Sequence, residues 1–137
     1  MKEINSRQNV RFKFWLSLLE TKGIKKEGLC LVSGRKVVRE MLSQGLVREL
    51  ILPPKGSDEG SKDVMGYRLH GDLFNALDVV GTGQALAVVP VNPPEPWVKT
   101  PGLNLVVALS DPHNLGACLR TAEAMGVAQV LLTKECA

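Results

Sequence analysis

The sequence contains few aromatic residues, few cysteines and few histidines. Its 137 residues include two Trp, one Tyr, three Phe, three Cys and two His. The cysteines Cys30, Cys118 and Cys136 are odd in number and widely spaced, and none belongs to a CxxC pair, so a structural zinc site is disfavoured. Cys30 and Cys118 fall within apolar or helical patterns, which is typical of buried, reduced thiols. We therefore expect no bound metal.

Long apolar runs and common nucleotide-binding motifs are also missing from the sequence. No run approaches the roughly 20 apolar residues that cross a bilayer, and the N-terminal MKEINSRQNVRFK lacks the apolar core of a signal peptide. We therefore expect a cytoplasmic location. The sequence has no GxxxxGKS or GxxxxGKT loop, no GxGxxG fingerprint and no Ser-His-Asp pattern, so hydrolase and nucleotidase functions are not indicated.

The charge that is present is distributed unevenly. A composition of 45% hydrophobic and 23% charged residues is that of a folded globular protein. Residues 1–39 hold ten Lys or Arg against three Glu, a net charge of +7, whereas residues 40–137 carry a net charge of −4. This asymmetry predicts a polyanionic partner, most simply a nucleic acid, because phosphate contacts supply sequence-independent affinity. A solvated, lysine-rich surface is the alternative.

Helical and strand patterns alternate along residues 1–91. The hydrophobic spacing predicts helices over NVRFKFWLSLLE, over GRKVVREMLSQG, which ends at Gly45, and over DLFNALD with Asp72 as its cap. Strands are predicted over GLCLV, VRELIL, the stretch around Tyr67 to Leu69, and QALAVVPV. Polar loops are predicted over TKGIKKEG and PPKGSDEGSKD. The pattern predicts a small α/β domain over residues 1–91.

A proline-rich segment follows this domain. Five of the eight prolines lie between Pro90 and Pro101, in PVNPPEPWVKTPG. Proline fixes φ and disfavours helix in the residue before it, so residues 92–102 are predicted to form a stiff, extended linker between two domains.

Residues 103–137 predict one βαβ unit. LNLVVALS is a continuous apolar strand, DPHNLG a polar loop, ACLRTAEAM a helix ending at Gly126, and AQVLLT a second strand. Two parallel strands and one helix cannot bury their own apolar faces, so we expect this second domain to be incomplete within the 137 residues.

The loop DPHNLG lies where α/β proteins bind ligands, between the carboxyl end of a strand and the start of a helix. The helix start offers backbone N–H groups and a partial positive charge to an anion. Asn114 adds a donor and an acceptor, and Arg120 adds a permanent charge. The arrangement favours a phosphate or ribose site, but an Asp-Pro-x-Asn loop is also a common turn and helix cap.

These residues carry a family resemblance. The stretch LNLVVALSDPHNLGACLRTAEAMGVAQVLL resembles the first motif of the SpoU-type (TrmH-like) RNA ribose 2′-O-methyltransferases, which belong to the SPOUT class with an α/β knot. The N-terminal part is similar to that family's substrate-binding domain: INSRQNVRFKFWLSLL matches an opening helix, LCLVSGRKVVREML a strand and second helix, and GTGQALAVVPV the last strand before the linker. The chain departs from the family at Ser33, where a Glu often precedes the Gly.

The resemblance implies a fold, an activity and a cofactor. The fold would be α/β: a small N-terminal substrate-binding domain, then the first βαβ of an α/β-knot methyltransferase domain. The activity would be methyl transfer from S-adenosylmethionine to a ribose 2′-hydroxyl of ribosomal or transfer RNA. By the same resemblance, Asn114 would position the RNA or the active-site loop, and Arg120 would assist activation of the hydroxyl.

The resemblance also bears on how much of the enzyme is present. The family's second and third motifs, a Gly-rich loop with Glu and a Ser-Leu-Asn segment, form the knot and hold the methyl donor, and neither occurs in residues 1–137. We therefore expect a truncated N-terminal part that is inactive alone and has no cofactor pocket of its own. The parent enzyme would form a homodimer through the missing knot region.

The basic N-terminal region supplies the candidate RNA contacts. The six cations expected to bind phosphate are Arg7, Arg11, Lys13, Arg35, Lys36 and Arg39. Two other functions also fit the sequence. The chain could be a non-catalytic RNA-binding module that resembles small ribosomal α/β proteins, or an assembly protein whose exposed βαβ pairs with another chain.

Overall fold

The computed structural model describes residues 1–55, 64–92 and 95–136. The chain divides into two compact units, Met1–Pro93 and Pro94–Ala137. The predicted loop over residues 53–63 and the predicted linker over residues 92–102 lie partly outside the described residues. The predicted α/β class is confirmed by both units, each of which combines helices with strands.

The first unit is built around a five-stranded sheet. Its elements, in chain order, are β1 (Lys2–Ile4), α1 (Val10–Ser17), α2 (Thr21–Glu27), β2 (Leu29–Ser33), α3 (Arg35–Ser43), β3 (Glu49–Leu52), β4 (Met65–Leu69), α4 (Gly71–Leu77) and β5 (Leu86–Pro90). The strand order in the sheet is β1-β4-β3-β5-β2. Strand β5 runs antiparallel to β2 and β3, whereas β4 is parallel to β1 and β3.

Two apolar clusters form on opposite faces of this sheet because side chains alternate along each strand. Ile51 of β3 belongs to the cluster that includes Phe12 and Trp15 of α1 and Phe74 of α4. The second cluster contains the residues that alternate with these along the strands, together with a residue of α3. Its members include Leu50 and Leu52 of β3, Ala87 and Val89 of β5, and Val38 of α3. Helices α1 and α4 therefore cover one face, and α3 covers the other.

Helix α1 begins and α3 ends at the residues that the sequence indicates. The side chain of Asn9 caps α1 by accepting hydrogen bonds from the amides of Arg11, at 2.8 Å, and Phe12, at 3.4 Å. Helix α3 is followed by Gly45 at φ 68°, the left-handed conformation that ends many helices and that glycine adopts without steric cost.

The prediction of a loop over TKGIKKEG was wrong, because Thr21–Glu27 forms α2. Gly23 marks a close helix contact here rather than a turn. A Cβ atom placed at Gly23 would lie 1.9 Å from the carbonyl oxygen of Ser17, so only glycine lets α2 pass this close to the end of α1. Gly28 then ends the helix at φ 62°.

Two smaller features of the first unit also differ from the sequence-based expectations. Helix α4 begins at Gly71 after His70, so Asp72 lies in the first turn and is not the cap. An acidic residue in that turn still complements the helix dipole. Strand β1 was not predicted, because a strand of three residues with Ile4 as its buried member shows no periodic pattern.

The second unit consists of β6 (Asn104–Val107), α5 (Pro112–Ala124) and β7 (Gln129–Leu132). Strands β6 and β7 pair in parallel, as predicted for a βαβ unit. Its buried apolar residues are Val107, Leu115 and Ala122. Val106 is 67% exposed and Leu132 47% exposed, so part of the apolar surface of this small sheet faces solvent. Within the described ranges, none of the helices is long and apolar enough to span a bilayer.

Candidate functional site

The segment DPHNLG forms the first turns of α5 rather than a free loop. Asp111 caps the helix: its Oδ1 accepts a hydrogen bond of 2.8 Å from the amide of Asn114, and its backbone carbonyl accepts from Leu115. Pro112 occupies the first helical position and has no N–H to offer. The Asp111 carboxylate therefore occupies the position at the start of α5 where the sequence pattern suggested a bound anion. The segment forms a turn with a helix cap, which was the alternative interpretation of the sequence.

The two predicted catalytic residues lie on this same helix. Asn114 and Arg120 are both exposed. They are six positions apart, which corresponds to about 9 Å along the helix axis and about 120° around it. Nη1 of Arg120 lies 3.7 Å from the point where a Cβ of Gly116 would be, so the guanidinium folds back by about one turn towards the start of the helix. A Cβ at Gly116 would make only an ordinary van der Waals contact with this guanidinium, so the Arg120 side chain does not require glycine at position 116.

The six predicted RNA contacts do not share one face of the molecule. Arg11 and Lys13 belong to α1, on one face of the sheet, and Arg7 lies in the turn that precedes this helix. Arg35, Lys36 and Arg39 belong to α3, on the opposite face. These six cations therefore lie in two separate basic regions of the first unit.

Arg11 has a structural partner in the first unit. Its guanidinium forms an ion pair with Oε1 of Glu49, a residue that is only 5% exposed. Oε2 of Glu49 accepts a hydrogen bond of 2.8 Å from the indole N–H of Trp15. Burial of a carboxylate is costly unless it is paired and hydrogen-bonded, and these two contacts meet that need. On the outer side of α1, Nζ of Lys13 donates to the side-chain oxygen of Gln8 at 2.7 Å.

A cavity of about 220 Å³ lies on the α3 face of the sheet. Arg35 and Arg39, one helical turn apart, line it from α3, and Lys55 lines it from the segment after β3. Its apolar wall includes Val38, Leu50 and Leu52, whereas Lys36 is not among its lining residues.

The third side of this cavity, formed by Gly83, Gln84 and Ala85, is held in place by a buried carboxylate. Asp78, which is 8% exposed, accepts hydrogen bonds from the Gly83 amide at 2.6 Å and from the Thr82 hydroxyl at 3.2 Å. The Thr82 hydroxyl in turn accepts from the Gln84 amide at 3.2 Å. These bonds fix the loop that presents Gln84 to the cavity.

Sequence reasoning missed Lys55, Gln84 and Glu49. Lys55 and Gln84 come from segments far apart in sequence, and each looks like an ordinary loop residue. The pairing of β3 with β5 brings these segments to the same end of the sheet. Glu49 did carry a signal, because a Glu inside the apolar strand VRELIL requires a buried partner.

The cysteines are free and half-buried rather than fully buried. Cys30 lies on β2, and burial raises the pKa of its thiol above the usual value, because the thiolate loses hydration. Among the described residues no group of three or more His, Cys, Asp and Glu is arranged to hold a metal ion.

Curated relatives match almost the whole chain. The 23S rRNA (guanosine(2553)-2′-O)-methyltransferase RlmP of Bacillus subtilis (strain 168) is 33% identical in an alignment 138 residues long. The alignment covers 96% of this chain and 54% of that protein. This chain is homologous to the SpoU-type (TrmH-like) RNA 2′-O-ribose methyltransferases. A Syntrophobacter fumaroxidans protein named ribosomal RNA small subunit methyltransferase G 2 is 33% identical over 148 residues, 99% of this chain and 29% of that protein. No protein-family model matches the chain.

Solved structures of RNA methyltransferases also match. An RNA methyltransferase of the TrmH family from Porphyromonas gingivalis shares 29% identity with a TM-score of 0.71, over 96% of this chain and 55% of that one. The AdoMet-bound rRNA methyltransferase from Sinorhizobium meliloti has a TM-score of 0.74 and 20% identity, over 98% of this chain and 55% of that one. The chain thus spans about half the length, or less, of these curated relatives and solved structures.

The described part of the second unit does not by itself fit S-adenosylmethionine. Buried ligand sites in proteins enclose most of the ligand with apolar walls. Here Val106, on β6, is 67% exposed and Met125, after α5, is 72% exposed. These two apolar side chains therefore face solvent instead of enclosing a pocket for the cofactor that the Sinorhizobium protein holds.

Proposed function

We propose that residues 1–137 are part of an S-adenosylmethionine-dependent RNA 2′-O-methyltransferase that acts on ribosomal or transfer RNA. Residues 1–91 would be its RNA-binding domain, 92–102 the linker, and 103–137 the first βαβ of the α/β-knot domain. The homology to RNA 2′-O-methyltransferases over 96% of the chain carries this proposal. A cytoplasmic location fits it, since these RNAs reside there. The relatives are enzymes, so a non-catalytic RNA-binding module is not favoured.

The exposed apolar surface of the second unit supports the placement of residues 103–137 within a larger domain. Leu103, Val106 and Leu132 are 61%, 67% and 47% exposed. A parallel sheet is normally covered on both faces. In this proposal the remainder of the catalytic domain covers this surface and completes the cofactor pocket.

We also propose that the parent enzyme is a homodimer formed through the knot region. Light scattering of the parent enzyme measures its mass and tests whether it is a dimer.

The chemistry assigned to this chain concerns the nucleophile. A ribose 2′-hydroxyl is a weak nucleophile until its proton leaves or its developing negative charge is stabilised. Arg120 presents an exposed guanidinium that would stabilise that charge directly or through a bound RNA phosphate. Asn114, on the exposed start of the same helix, would orient the ribose or the neighbouring active-site loop. Holding the hydroxyl in line with the methyl group should supply much of the rate enhancement.

Methyl transfer by the parent enzyme tests this function. The enzyme is incubated with ribosomal RNA and methyl-labelled S-adenosylmethionine, and the RNA is then hydrolysed in alkali. A 2′-O-methyl group blocks cleavage of the adjacent phosphodiester, so we expect the label in alkali-resistant dinucleotides. Arg120→Ala should lower kcat by about 100-fold or more, whereas Lys134→Ala, which removes another exposed cation of the second unit, should not. Label on the bases instead of the ribose would contradict the proposal.

The chain itself provides a second test. In calorimetry, residues 1–137 should bind RNA but give no heat of binding with S-adenosylmethionine. Stoichiometric binding of the cofactor would show that the pocket lies within these residues and that the assignment of residues 103–137 is wrong.

A further inference from the structure

Helix α2, which the sequence did not predict, carries three exposed lysines on one side. Relative to Lys22, Lys25 lies about −60° and Lys26 about +40° around the helix axis, so the three share a sector of about 100°. Gly23 and Ile24 lie on the other side of the helix and are half-buried. Lys22, Lys25 and Lys26 therefore form one continuous surface that points to solvent, the lysine face of α2.

The charge of the lysine face is not neutralised by the described part of the chain. Within residues 1–55, 64–92 and 95–136, neither Lys22 nor Lys25 has a hydrogen-bond or ion-pair partner. Lys26 pairs with Glu27 at 3.1 Å, but its side chain is still 79% exposed, and such exposed pairs contribute little. Residues 7–26 hold six Lys or Arg and one Glu, a net charge of +5, whereas the whole chain carries +3. A polyanion would therefore be attracted to this part of the first unit.

Several of the cations that the sequence predicts as RNA contacts are already engaged within the protein. Arg11 pairs with the buried Glu49 carboxylate, and Arg35 and Arg39 of α3 also have interaction partners. A cation that must share or give up a partner gains less from a phosphate than a cation that is only hydrated. This difference favours α2 over α3 as the surface that meets an anionic ligand.

Helix stability explains two of the three lysines but not Lys22. Lys25 and Lys26 lie in the last turn, where cations complement the negative end of the helix dipole. Lys22 lies in the first turn, at the positive end, where an acidic residue is preferred and a cation is unfavourable. That turn of α2 contains no acidic residue. The position of Lys22 therefore favours a role in binding over a role in folding.

From these observations we propose that the lysine face of α2 binds the phosphate backbone of RNA. This inference rests on the proposed function and specifies which surface of the first unit holds the RNA. A lysine ammonium has three donors and no acceptor, so it binds phosphate oxygens as a point charge. Contacts to phosphate position the RNA without reading its bases. Binding through α2 is therefore independent of base sequence and strongly dependent on salt.

Lysine footprinting locates the contact directly. The chain is acetylated with acetic anhydride, with and without a single-stranded RNA oligonucleotide, and the modification of each lysine is measured by peptide mass spectrometry. RNA should slow the acetylation of Lys22 and Lys25. Lys2 on β1 and Lys55 after β3, which are also exposed, should react at the same rate in both samples. Protection of Lys2 and Lys55 equal to that of α2 would overturn the proposal.

Salt dependence counts the phosphate contacts. Fluorescence anisotropy measures the affinity for the oligonucleotide over a range of salt concentrations. The double variant Lys22→Gln, Lys25→Gln should weaken binding about tenfold or more at low salt. It should also make the slope of log K against log salt shallower by about 1.4, because each contact to a single strand contributes about 0.7. Oligonucleotides of different base sequence should show the same loss.

Two further double variants control for net charge. Lys2→Gln, Lys55→Gln removes the same charge from other elements of the first unit and should leave the slope unchanged. Lys22→Arg, Lys25→Arg keeps the charge on α2 and should retain the affinity and the slope. Equal losses in the two glutamine variants would mean non-specific attraction and would overturn the proposal.

Lys22→Glu separates binding from folding. A carboxylate suits the first turn of α2, so the urea midpoint of this variant should stay the same or rise. Its affinity for RNA should nevertheless fall about tenfold or more, because a contact to phosphate is replaced by repulsion. A lower midpoint together with unchanged RNA binding would show that Lys22 serves the fold, and the proposal would be wrong.

The outcomes distinguish this inference from the proposed function. If the parent enzyme methylates RNA while the α2 variants bind RNA normally, the function stands and the assignment of α2 fails. If the α2 variants lose RNA binding but the parent enzyme transfers no methyl group, the assignment of α2 stands and the function fails. Tighter binding of poly-glutamate than of RNA would identify an acidic protein as the partner and would overturn the proposal.

Discussion

The indole N–H of Trp15 donates a 2.8 Å hydrogen bond to the Glu49 carboxylate, and both side chains are buried. The other carboxylate oxygen pairs with Arg11. The Trp15 ring also meets Tyr67 edge to face, with 5.0 Å between ring centroids. This group of side chains links α1 to β3 and β4 and places a charge next to the core of the first unit.

Loss of the Glu49 carboxylate should destabilise the first unit. Glu49→Ala leaves the Trp15 N–H and Arg11 without their acceptor, so we expect a loss of about 3 kcal/mol in the free energy of unfolding. Glu49→Gln keeps an acceptor for Trp15 and should cost less. Urea unfolding followed by Trp15 fluorescence measures both. An alanine variant as stable as the parent chain would show that the buried carboxylate makes no net contribution.

The packing of α2 against α1 should depend on Gly23. Alanine normally favours a helix over glycine by about 1 kcal/mol, but a Cβ here would lie 1.9 Å from the Ser17 oxygen. We therefore expect Gly23→Ala to lower stability by about 1 to 3 kcal/mol, as overpacking does. Gly66→Ala is the control, because its Cβ would approach no atom closer than 4.0 Å. If both alanine variants unfold at the same urea concentration, the packing of α2 on the Ser17 carbonyl oxygen leaves room for a Cβ atom at position 23.

The loop of residues 82–84 should lose its order without Asp78. Asp78→Ala removes the acceptor for the Gly83 amide and the Thr82 hydroxyl, which should cost about 1 to 3 kcal/mol. Hydrogen exchange at Gly83 should accelerate in this variant. Asp72→Ala, an exposed carboxylate in the first turn of α4, serves as the control. Slow exchange at Gly83 in Asp78→Ala would mean that other contacts hold the loop.

The start of α5 should fray when its cap is removed. Asp111→Ala deletes the acceptor for the Asn114 amide, a change that typically costs about 1 kcal/mol. Asp111→Asn retains an oxygen acceptor and should behave nearly like the parent chain. The measurement is hydrogen exchange at Asn114, with Met125 at the other end of the helix as reference. Equal exchange in all three proteins would contradict the capping role.

Alkylation of Cys30 should be slow near neutral pH. Burial raises the pKa of this thiol, so less reactive thiolate is present at a given pH in the folded chain than in the unfolded chain. We expect the iodoacetamide rate, followed by peptide mass spectrometry, to rise at a higher pH in the folded state than in urea. The raised pKa means that the folded state favours the neutral thiol, so its stabilising contribution is present below the thiol's unfolded-state pKa and declines as the pH rises through the folded-state pKa. Identical pH profiles in the two states would contradict this.

Much of the local structure could be predicted from the sequence, because it depends on spacing and on residues with special backbone geometry. The hydrophobic periodicity predicted helices α1 and α3, and the apolar runs predicted strands β2, β3, β5 and β6. Gly45 correctly indicated the end of α3. The prediction failed at TKGIKKEG, where a short-range pattern had two physical meanings: Gly23 indicated a turn but permits a helix contact. The segment DPHNLG also had two interpretations, a ligand-binding loop or a turn with a helix cap, and Asp111 caps α5 there.

Residue order and spacing were enough to predict the α/β class, the βαβ pattern of residues 103–137 and the family resemblance. Which cations lie together depends on the tertiary structure. Arg11 and Arg39 look equivalent in a basic N-terminal segment, yet Arg11 neutralises a buried carboxylate and Arg39 lines a cavity on the opposite face of the sheet. The reason is that successive side chains of a strand point to opposite faces of the sheet. Strand pairing, and not distance along the chain, therefore determines which residues lie close together.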